Sequence, residues 1–379
     1  MDEVNPMAEM GFMHDKQIII EPQGFLTPSN PVRDLAVEFI PNGGKIYDLL
    51  DRYDDVVTYI LNRDDVNNNS DSSKLLAPFL KAFGVTDYEA RKYYDENIQM
   101  MKGAAEVMDY FTNTMPVLID AKCYEHAAHA LCEKIGVPIP IVSASFLDLD
   151  NTTMPMKACR ELRAMAAEIE ALKISTVQYE LNVPSTLDED ESRMITTLDD
   201  IFLKRLQGTE AADMIQNMVT VGPNEKAYSL LDMRKSTQVD LDGTIYIGGE
   251  IIDFQAMDLI KDGNGLSMAF NGSEIAVHGC NVAVISDDCI VAAVLVAKFY
   301  STGIQGVFDL IDNWNREYLE TTDFPDRNLL DEMLRRHPDN LPEVYHVTRY
   351  NVDEIAVKSE SFRESLFNKY AGKSTKKVE

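Results

Sequence analysis

Short apolar runs that stop at acidic, glycine or small polar residues recur along this chain. The first run, 17–20, contains three adjacent isoleucines and is closed by Glu21, Pro22, Gln23 and Gly24. Three β-branched residues are too few for a helix, and the turn formers indicate a strand that ends in a loop. Similar runs occur at 117–120, 139–142, 244–248, 265–270 and 282–286. Continuous apolar runs are typical of strands buried on both faces, so we expect a mostly parallel sheet around the first strand.

The segments between these runs carry apolar residues at helical spacing. Helices are predicted over 31–40, 45–61, 74–83, 87–101, 103–113, 124–136, 155–174, 198–218, 225–233, 287–300, 304–319 and 353–370. Helix and strand alternate as they do in parallel α/β sheets. The roughly ninety, mostly helical residues between the first two strands exceed what a crossover needs, and they indicate an inserted cap.

The pattern therefore predicts an α/β fold, with a doubly wound, mostly parallel sheet and an inserted helical cap. The core comprises 17–30 and 102–320, with a smaller helical insertion at about 151–220. The cap comprises 31–101. Residues 1–16 are predicted to be a flexible arm, and residues 321–379 a helical C-terminal extension and tail.

Composition narrows the class of partner. The net charge of −28 repels nucleic-acid phosphates and anionic lipid surfaces, so no nucleic-acid partner is expected. The five cysteines form no C-x-x-C pair, which favours reduced thiols in a cytoplasmic protein. The longest apolar run, 289–297, is about half of the ~20 residues that span a membrane, so direct membrane insertion is not expected. The acidic start of 1–16 does not resemble a secretion signal.

Several motifs carry a family resemblance. They are Gly24-Phe25-Leu26-Thr27 after the first strand, Phe39-Ile40-Pro41-Asn42-Gly43-Gly44-Lys45, Arg52-Tyr53-Asp54-Asp55, Tyr124-Glu125-His126, Leu131-Cys132-Glu133-Lys134-Ile135-Gly136, Ile247-Gly248-Gly249-Glu250-Ile251-Ile252-Asp253 and Ala269-Phe270-Asn271-Gly272. In order and spacing, over about residues 16–320, they resemble the haloacid dehalogenase (HAD) superfamily of phosphatases. The resemblance is greatest to archaeal phosphoserine-phosphatase-like proteins and to subunit R of the energy-converting hydrogenase A of methanogens. It implies a Rossmann-like core with a cap domain.

The resemblance also implies a catalytic constellation. It consists of a nucleophilic aspartate after the first strand, an acid two residues later, a hydroxyl after the second strand, a lysine, and acids that hold Mg²⁺. Glu21 stands at the nucleophile position, where its extra methylene displaces the carboxylate, and ~1 Å errors can cost ~100-fold in rate. Gln23 stands at the acid/base position, and an amide cannot exchange a proton near neutral pH.

Two further positions depart from the family pattern. The expected hydroxyl falls on Ala121, or on Lys122 or Cys123 if the register slips by one or two residues. The Gly-Asp-x-x-x-Asp metal motif has Gly249 in place of its first acid and keeps the last acid as Asp253.

Four charged side chains leave two interpretations open. Glu21, Glu250 and Asp253 could coordinate a divalent cation, or they could be solvated acids at strand ends. Lys226 matches the phosphate-binding lysine of the family, and it could contact a phosphate or neutralise those acids. In either case we expect Glu21, Ala121, Lys226 and Asp253 to converge in one cleft under the cap, because parallel strands bring their carboxyl ends together.

These departures predict a pseudophosphatase, a catalytically degenerate HAD-like protein that has no catalytic residue of its own. The predicted role is that of a binding or accessory subunit, with a protein partner in a larger complex such as a methanogen energy-conversion complex. No cofactor is expected, and Mg²⁺ is the alternative left open. The alternative function is a Mg²⁺-dependent phosphohydrolase that acts on a small phosphomonoester. Such an enzyme needs at least the acid pair of the first strand.

Overall fold

The computed structural model describes residues 14–61, 63, 71–175, 177 and 187–370. Within them, seven strands form one sheet. The strands are β1 (Gln17–Ile20), β2 (Val117–Tyr124), β3 (Val142–Ser145), β4 (Thr244–Gly248), β5 (Leu266–Phe270), β6 (Val282–Ile285) and β7 (Glu343–His346). Their order is β3-β2-β1-β4-β5-β6-β7, and only β7 runs antiparallel to its neighbour. Most of the predicted arm and the end of the predicted tail, 371–379, lie outside the described residues.

Sixteen α-helices accompany the sheet in the described ranges. They are α1 (Pro31–Phe39), α2 (Gly43–Asp55), α3 (Ser72–Ala82), α4 (Asp87–Asn97), α5 (Ala104–Thr114), α6 (Glu125–Ile135), α7 (Met156–Glu170), α8 (Glu189–Asp200), α9 (Glu210–Asn217), α10 (Pro223–Thr237), α11 (Phe254–Asp262), α12 (Glu274–Gly279), α13 (Ile290–Asp312), α14 (Arg316–Thr321), α15 (Arg327–Arg336) and α16 (Val352–Tyr370). The predicted α/β fold class, with helices inserted after the first strand, is confirmed.

β1 lies at the centre of the sheet, between β2 and β4. Its residues Ile18, Ile19 and Ile20 are fully buried, as continuous apolar strands of parallel sheets are. Ile20 is in register with Ile119 of β2 and Ile247 of β4. The residues that follow these three positions therefore meet at one edge of the sheet.

The cap shares its hydrophobic core with the sheet. Apolar residues of α1, α2 and α3, such as Leu35, Leu50 and Phe79, belong to the same buried cluster as Ile18 and Ile20 of β1. α3 also packs against α7 and α9, which belong to the second helical insertion. The cap is thus held above the strand ends by continuous apolar contact, which favours a closed arrangement.

Some predicted boundaries are wrong. Ile139–Ile141 forms a 3₁₀ turn, and the third strand begins only at Val142. Pro138 and Pro140 have no backbone N–H to donate to a strand ladder, which explains the shift. The predicted helix 198–218 is instead the end of α8, a π-helical turn at Ile201–Arg205, and the separate helix α9.

α13 is the most apolar helix of the described chain. It is interrupted at Gly303, whose φ of 66° and ψ of −170° are not helical, close to the break predicted between 300 and 304. By length and composition it could cross a membrane, but 61% of its apolar window is buried inside the fold. Most of its apolar surface is thus covered by other parts of the fold, as in a core helix.

Candidate functional site

Glu21 is held at the centre of the site by backbone donors. It follows β1 directly and is 1% exposed. Its Oε1 accepts a hydrogen bond from the Gln23 amide at 3.2 Å, and its Oε2 accepts one from the Lys122 amide at 3.1 Å. The loop that carries it closes on Pro22, whose carbonyl accepts from the amides of Leu26 and Thr27. Both carboxylate oxygens of Glu21 are therefore engaged before any ligand arrives.

Lys226 lies between the predicted acids. It sits in the first turn of α10, after Gly222 and Pro223, and its side chain is fully buried. Its Nζ is 2.5 Å from Glu21 Oε2 and 2.8 Å from Asp253 Oδ1, and it donates to the Asp120 carbonyl at 2.8 Å. Three acceptors thus match the three protons of the ammonium group.

Asp253 is the most strongly bound carboxylate of this cluster. Its Oδ2 accepts from the amides of Gly249 and Glu250, both at 2.8 Å. Its Oδ1 accepts from the Tyr246 hydroxyl, also at 2.8 Å. Burial raises the pKa of Asp253, but Lys226 and the two amides outweigh burial and hold that pKa below its usual value. Asp253 therefore stays ionised.

Glu21 titrates differently from Asp253. Burial raises the pKa of Glu21 to about 7, Lys226 opposes this rise, and the charge of Asp253 adds to it. Burial also lowers the pKa of Lys226, yet Asp253 and Glu21 outweigh that effect and raise it well above its ordinary value. Lys226 thus stays protonated and pairs with two carboxylates. Asp253 is ionised, whereas Glu21 takes up a proton near neutral pH.

A second cation reaches the site from α16. Arg363 is 7% exposed, and its Nη2 donates to the Glu250 carboxylate. Its Nη1 lies 3.4 Å from the carbonyl oxygens of Gly249 and Asn271. Arg363 is not among the predicted site residues, because no local signal connects a helix at the end of the chain with a loop more than a hundred residues earlier.

The three acids predicted as metal ligands do not form one ligand set. Glu21 and Asp253 flank Lys226, whereas Glu250 pairs with Arg363. In the part of the chain that the structure describes, no group of three or more His, Cys, Asp or Glu side chains is placed to hold a metal ion. Mg²⁺ requires near-octahedral oxygen ligands, so these residues do not fit it in the observed arrangement.

The other predicted positions lie at the same edge of the sheet. Ala121 is fully buried in β2, and the amide of the next residue, Lys122, supplies the donor to Glu21. At Gly249, a Cβ would lie 3.1 Å from the Phe270 carbonyl oxygen and 3.4 Å from the Gly272 Cα. The backbone therefore leaves little room for an aspartate at position 249. Of the four residues expected to converge in a cleft, Glu21, Lys226 and Asp253 are in contact, and Ala121 precedes the residue whose amide binds Glu21, but all four are buried rather than exposed in a cleft.

A cavity of about 460 Å³ opens beside this cluster. The cap helices α1 and α2 form one wall, and α16 forms another. Gln23, only 5% exposed, lines the cavity, and its side chain makes no hydrogen bond to any residue that the structure describes. The Glu21, Lys226 and Asp253 cluster next to it is charge-compensated, so the cavity is suited to binding a polar molecule.

Comparison with known proteins shows the fold. No protein-family model matches the chain, and no curated protein sequence matches it. The structure of gene product AF1437 from Archaeoglobus fulgidus superposes with a TM-score of 0.73 and 19% identity, over 93% of this chain and 97% of that chain. Phosphoserine phosphatase superposes less well, with a TM-score of 0.41 and 13% identity for the apo form and 0.44 and 14% for the substrate-bound form. These two alignments cover 73% of this chain and 96% and 95%, respectively, of the phosphatase chains. The predicted α/β architecture is confirmed at the level of the fold.

Proposed function

We propose that this chain is a catalytically degenerate HAD-like protein that acts in the cytoplasm as a binding or accessory subunit. The main support is the position of Lys226, whose ammonium lies 2.5 Å from Glu21 and 2.8 Å from Asp253. A carboxylate nucleophile must be free to attack, whereas both oxygens of Glu21 are bonded within the protein. Gln23 offers no proton at the acid/base position.

The second support is that α16 packs against the loops at the carboxyl ends of the strands, next to the Glu21 cluster. Arg363 satisfies Glu250 and approaches the carbonyls of Gly249 and Asn271. A guanidinium is always protonated, so it compensates the local negative charge at every physiological pH. Lys226 and Arg363 thus compensate Glu21, Asp253 and Glu250, and this suits a scaffold kept for binding. The proposal of a methanogen energy-conversion complex as partner rests on the sequence resemblance.

Activity measurements test the degenerate site. The purified protein, assayed with Mg²⁺ and either phosphoserine or p-nitrophenyl phosphate, should release phosphate no faster than the buffer. Glu21→Asp alone should remain inactive, because catalytic groups that act as a unit are not additive and Gln23 still cannot protonate a leaving oxygen. Turnover by the unmodified protein that is abolished by Glu21→Ala would instead establish the Mg²⁺-dependent phosphohydrolase.

A sharper test applies the same assay to a variant that combines Glu21→Asp, Gln23→Asp, Ala121→Ser and Gly249→Asp. It restores every missing group, but the short approach of Phe270 to position 249 should lower the stability of the variant. Native-source purification tests the subunit role: a stable complex supports it, and a lone monomer that hydrolyses phosphomonoesters contradicts it.

A further inference from the structure

We propose that the cavity between the cap and α16 binds a small organic cation that carries two or more amino groups, of the diamine or polyamine class. The inference rests on the proposed binding function and specifies its ligand. It follows from the shape of the cavity, the excess of carboxylates in its walls, and the unpartnered amide of Gln23.

The cavity has the size of a small-molecule site. Its volume of about 460 Å³ lies within the ~300–1,000 Å³ of known ligand pockets. Asp34 on α1 lines the cavity from the cap, Glu360 and Glu364 line it from α16, and Gln23 belongs to the loop after β1. A ligand with charges at both ends can therefore contact the cap and the C-terminal helix at once.

The charges in the walls are unbalanced. The carboxylates that line the cavity are Asp34, Asp48, Asp51, Glu250, Glu360 and Glu364, and the guanidinium groups are Arg33 and Arg363.

Each arginine is already paired. Arg33 binds Asp48 through two nitrogens at 2.7 and 2.9 Å, and Arg363 binds Glu250. Lys122 neutralises Asp51. Asp34, Glu360 and Glu364 form no ion pair with any residue that the structure describes. The surplus charge attracts a cation, and it disfavours an anion such as phosphate.

The raised pKa values of two of these acids are compatible with a cation-binding site. Burial raises the pKa of Asp34 to about 6, although a hydrogen bond from Ser29 opposes the rise. Burial likewise raises the pKa of Glu360, and the nearby Arg363 reverses this only in part. An ammonium group placed between them would favour both carboxylates in their charged form.

Gln23 provides the independent observation. Its side chain is 95% buried at the cavity surface and has no partner among the described residues. A primary amide offers two donors and two acceptor sites, which a ligand in the cavity can engage. An amine donates to the Gln23 carbonyl and to the carboxylates around it, so one ligand class satisfies both features.

Calorimetric titration of the full chain tests this proposal. Separate titrations use putrescine, spermidine, MgCl₂ and inorganic phosphate. We expect saturable binding of putrescine or spermidine, with Gln23→Leu and the double change Glu360→Gln, Glu364→Gln each weakening it at least tenfold. The control is Glu354→Gln, because Glu354 lies on the same helix, pairs with Lys358 and does not line the cavity. It should leave the affinity unchanged, and thermal melts verify that every variant is folded.

The outcomes are separable from those of the proposed function. No amine binding by an inactive, folded protein overturns this inference alone. Saturable Mg²⁺ or phosphate binding that is lost in the same variants also overturns it, in favour of a metal or an anion site. Turnover of phosphomonoesters refutes the degenerate function, whatever the amines do.

Discussion

Two buried lysines lie among carboxylates at the carboxyl ends of the strands, and they join different parts of the molecule. Lys226 connects α10 to the loops after β1 and β4, entirely inside the core, where its side chain and those of Glu21 and Asp253 are at most 1% exposed. Lys122, near the end of β2, reaches into the cap, where its Nζ lies 3.1 Å from Asp51 of α2. Lys226 holds the loops at the strand ends together, and Lys122 connects the cap to the core.

The two lysines also differ in their access to solvent. The side chain of Asp51 is 31% exposed, so water screens the Lys122 pair but not the Lys226 pair. Burial lowers the pKa of Lys122, but Asp51 and other acids outweigh burial and raise it. Burial raises the pKa of the neighbouring Asp54 to about 7. The lysine–carboxylate pairs of Lys226 are thus fully buried in the core, whereas the Lys122–Asp51 pair at the cap is partly exposed to water and should separate more easily.

The largest effect is expected from Lys226→Met. It leaves two buried carboxylates without their cation, and breaking a buried pair in this way costs ~3–5 kcal/mol. Urea unfolding measures the loss. Adding Glu21→Gln should recover part of it, because one uncompensated acid is removed. If the single variant unfolds like the wild type, the core pair does not hold the site together.

The matched control for this measurement is Lys157→Met. Lys157 pairs with Glu161 on the surface of α7, and both side chains are more than half exposed. Exposed pairs contribute little to stability, so the urea midpoint should stay within experimental error. A shift as large as that of Lys226→Met would mean that any lost positive charge destabilises this acidic protein.

A smaller and more local effect is expected from Lys122→Met. We expect a loss of ~1–3 kcal/mol, because Asp51 can be solvated in part once its partner is gone. Hydrogen exchange should accelerate in α2 and α3, while the amides of β1 keep their protection. Equal acceleration in the cap and in β1 would contradict the difference between the two lysines.

The last prediction concerns the dependence of stability on pH. Glu21 and Asp54, both with a pKa of about 7 in the folded protein, bind protons more tightly there than in the unfolded chain, whose ordinary values are 4.5 and 3.8. The free energy of unfolding should therefore fall as the pH rises from about 5 to 8, by roughly 2–3 kcal/mol for each group. Asp253 and Asp51 have lowered pKa values and contribute the opposite slope, but only at more acidic pH.

Urea titrations at pH 5 and pH 8 measure this slope. Glu21→Gln should reduce the difference in the free energy of unfolding between the two pH values, because the group that takes up the proton is gone. A wild-type protein that becomes more stable towards pH 8 would show that Glu21 stays ionised beside Lys226.

Local pattern and family spacing were enough to predict the framework of the site. The isoleucines of β1 are buried on both faces, so their composition alone indicates a central strand. The motif around Gly249 and Asp253, and the lysine at 226, could be placed at the strand ends because parallel strands present their carboxyl ends on one edge. The long, mostly helical connection between β1 and β2 indicated the cap, because the length of a connection can be read directly from the sequence.

Only the tertiary structure decided how the charges pair. Lys226 and Glu21 are 205 residues apart, and Arg363 and Glu250 are 113 apart, so no periodicity connects them. β7 escaped prediction because a short, half-exposed edge strand leaves a weak pattern, whereas α15 lies within the predicted helical extension of 321–379. Burial converts such distant pairs into strong interactions by removing the water that would otherwise screen them. The amino-acid order specified which ionisable groups the site contains, and the packing of α10 and α16 determined which of them carry charge.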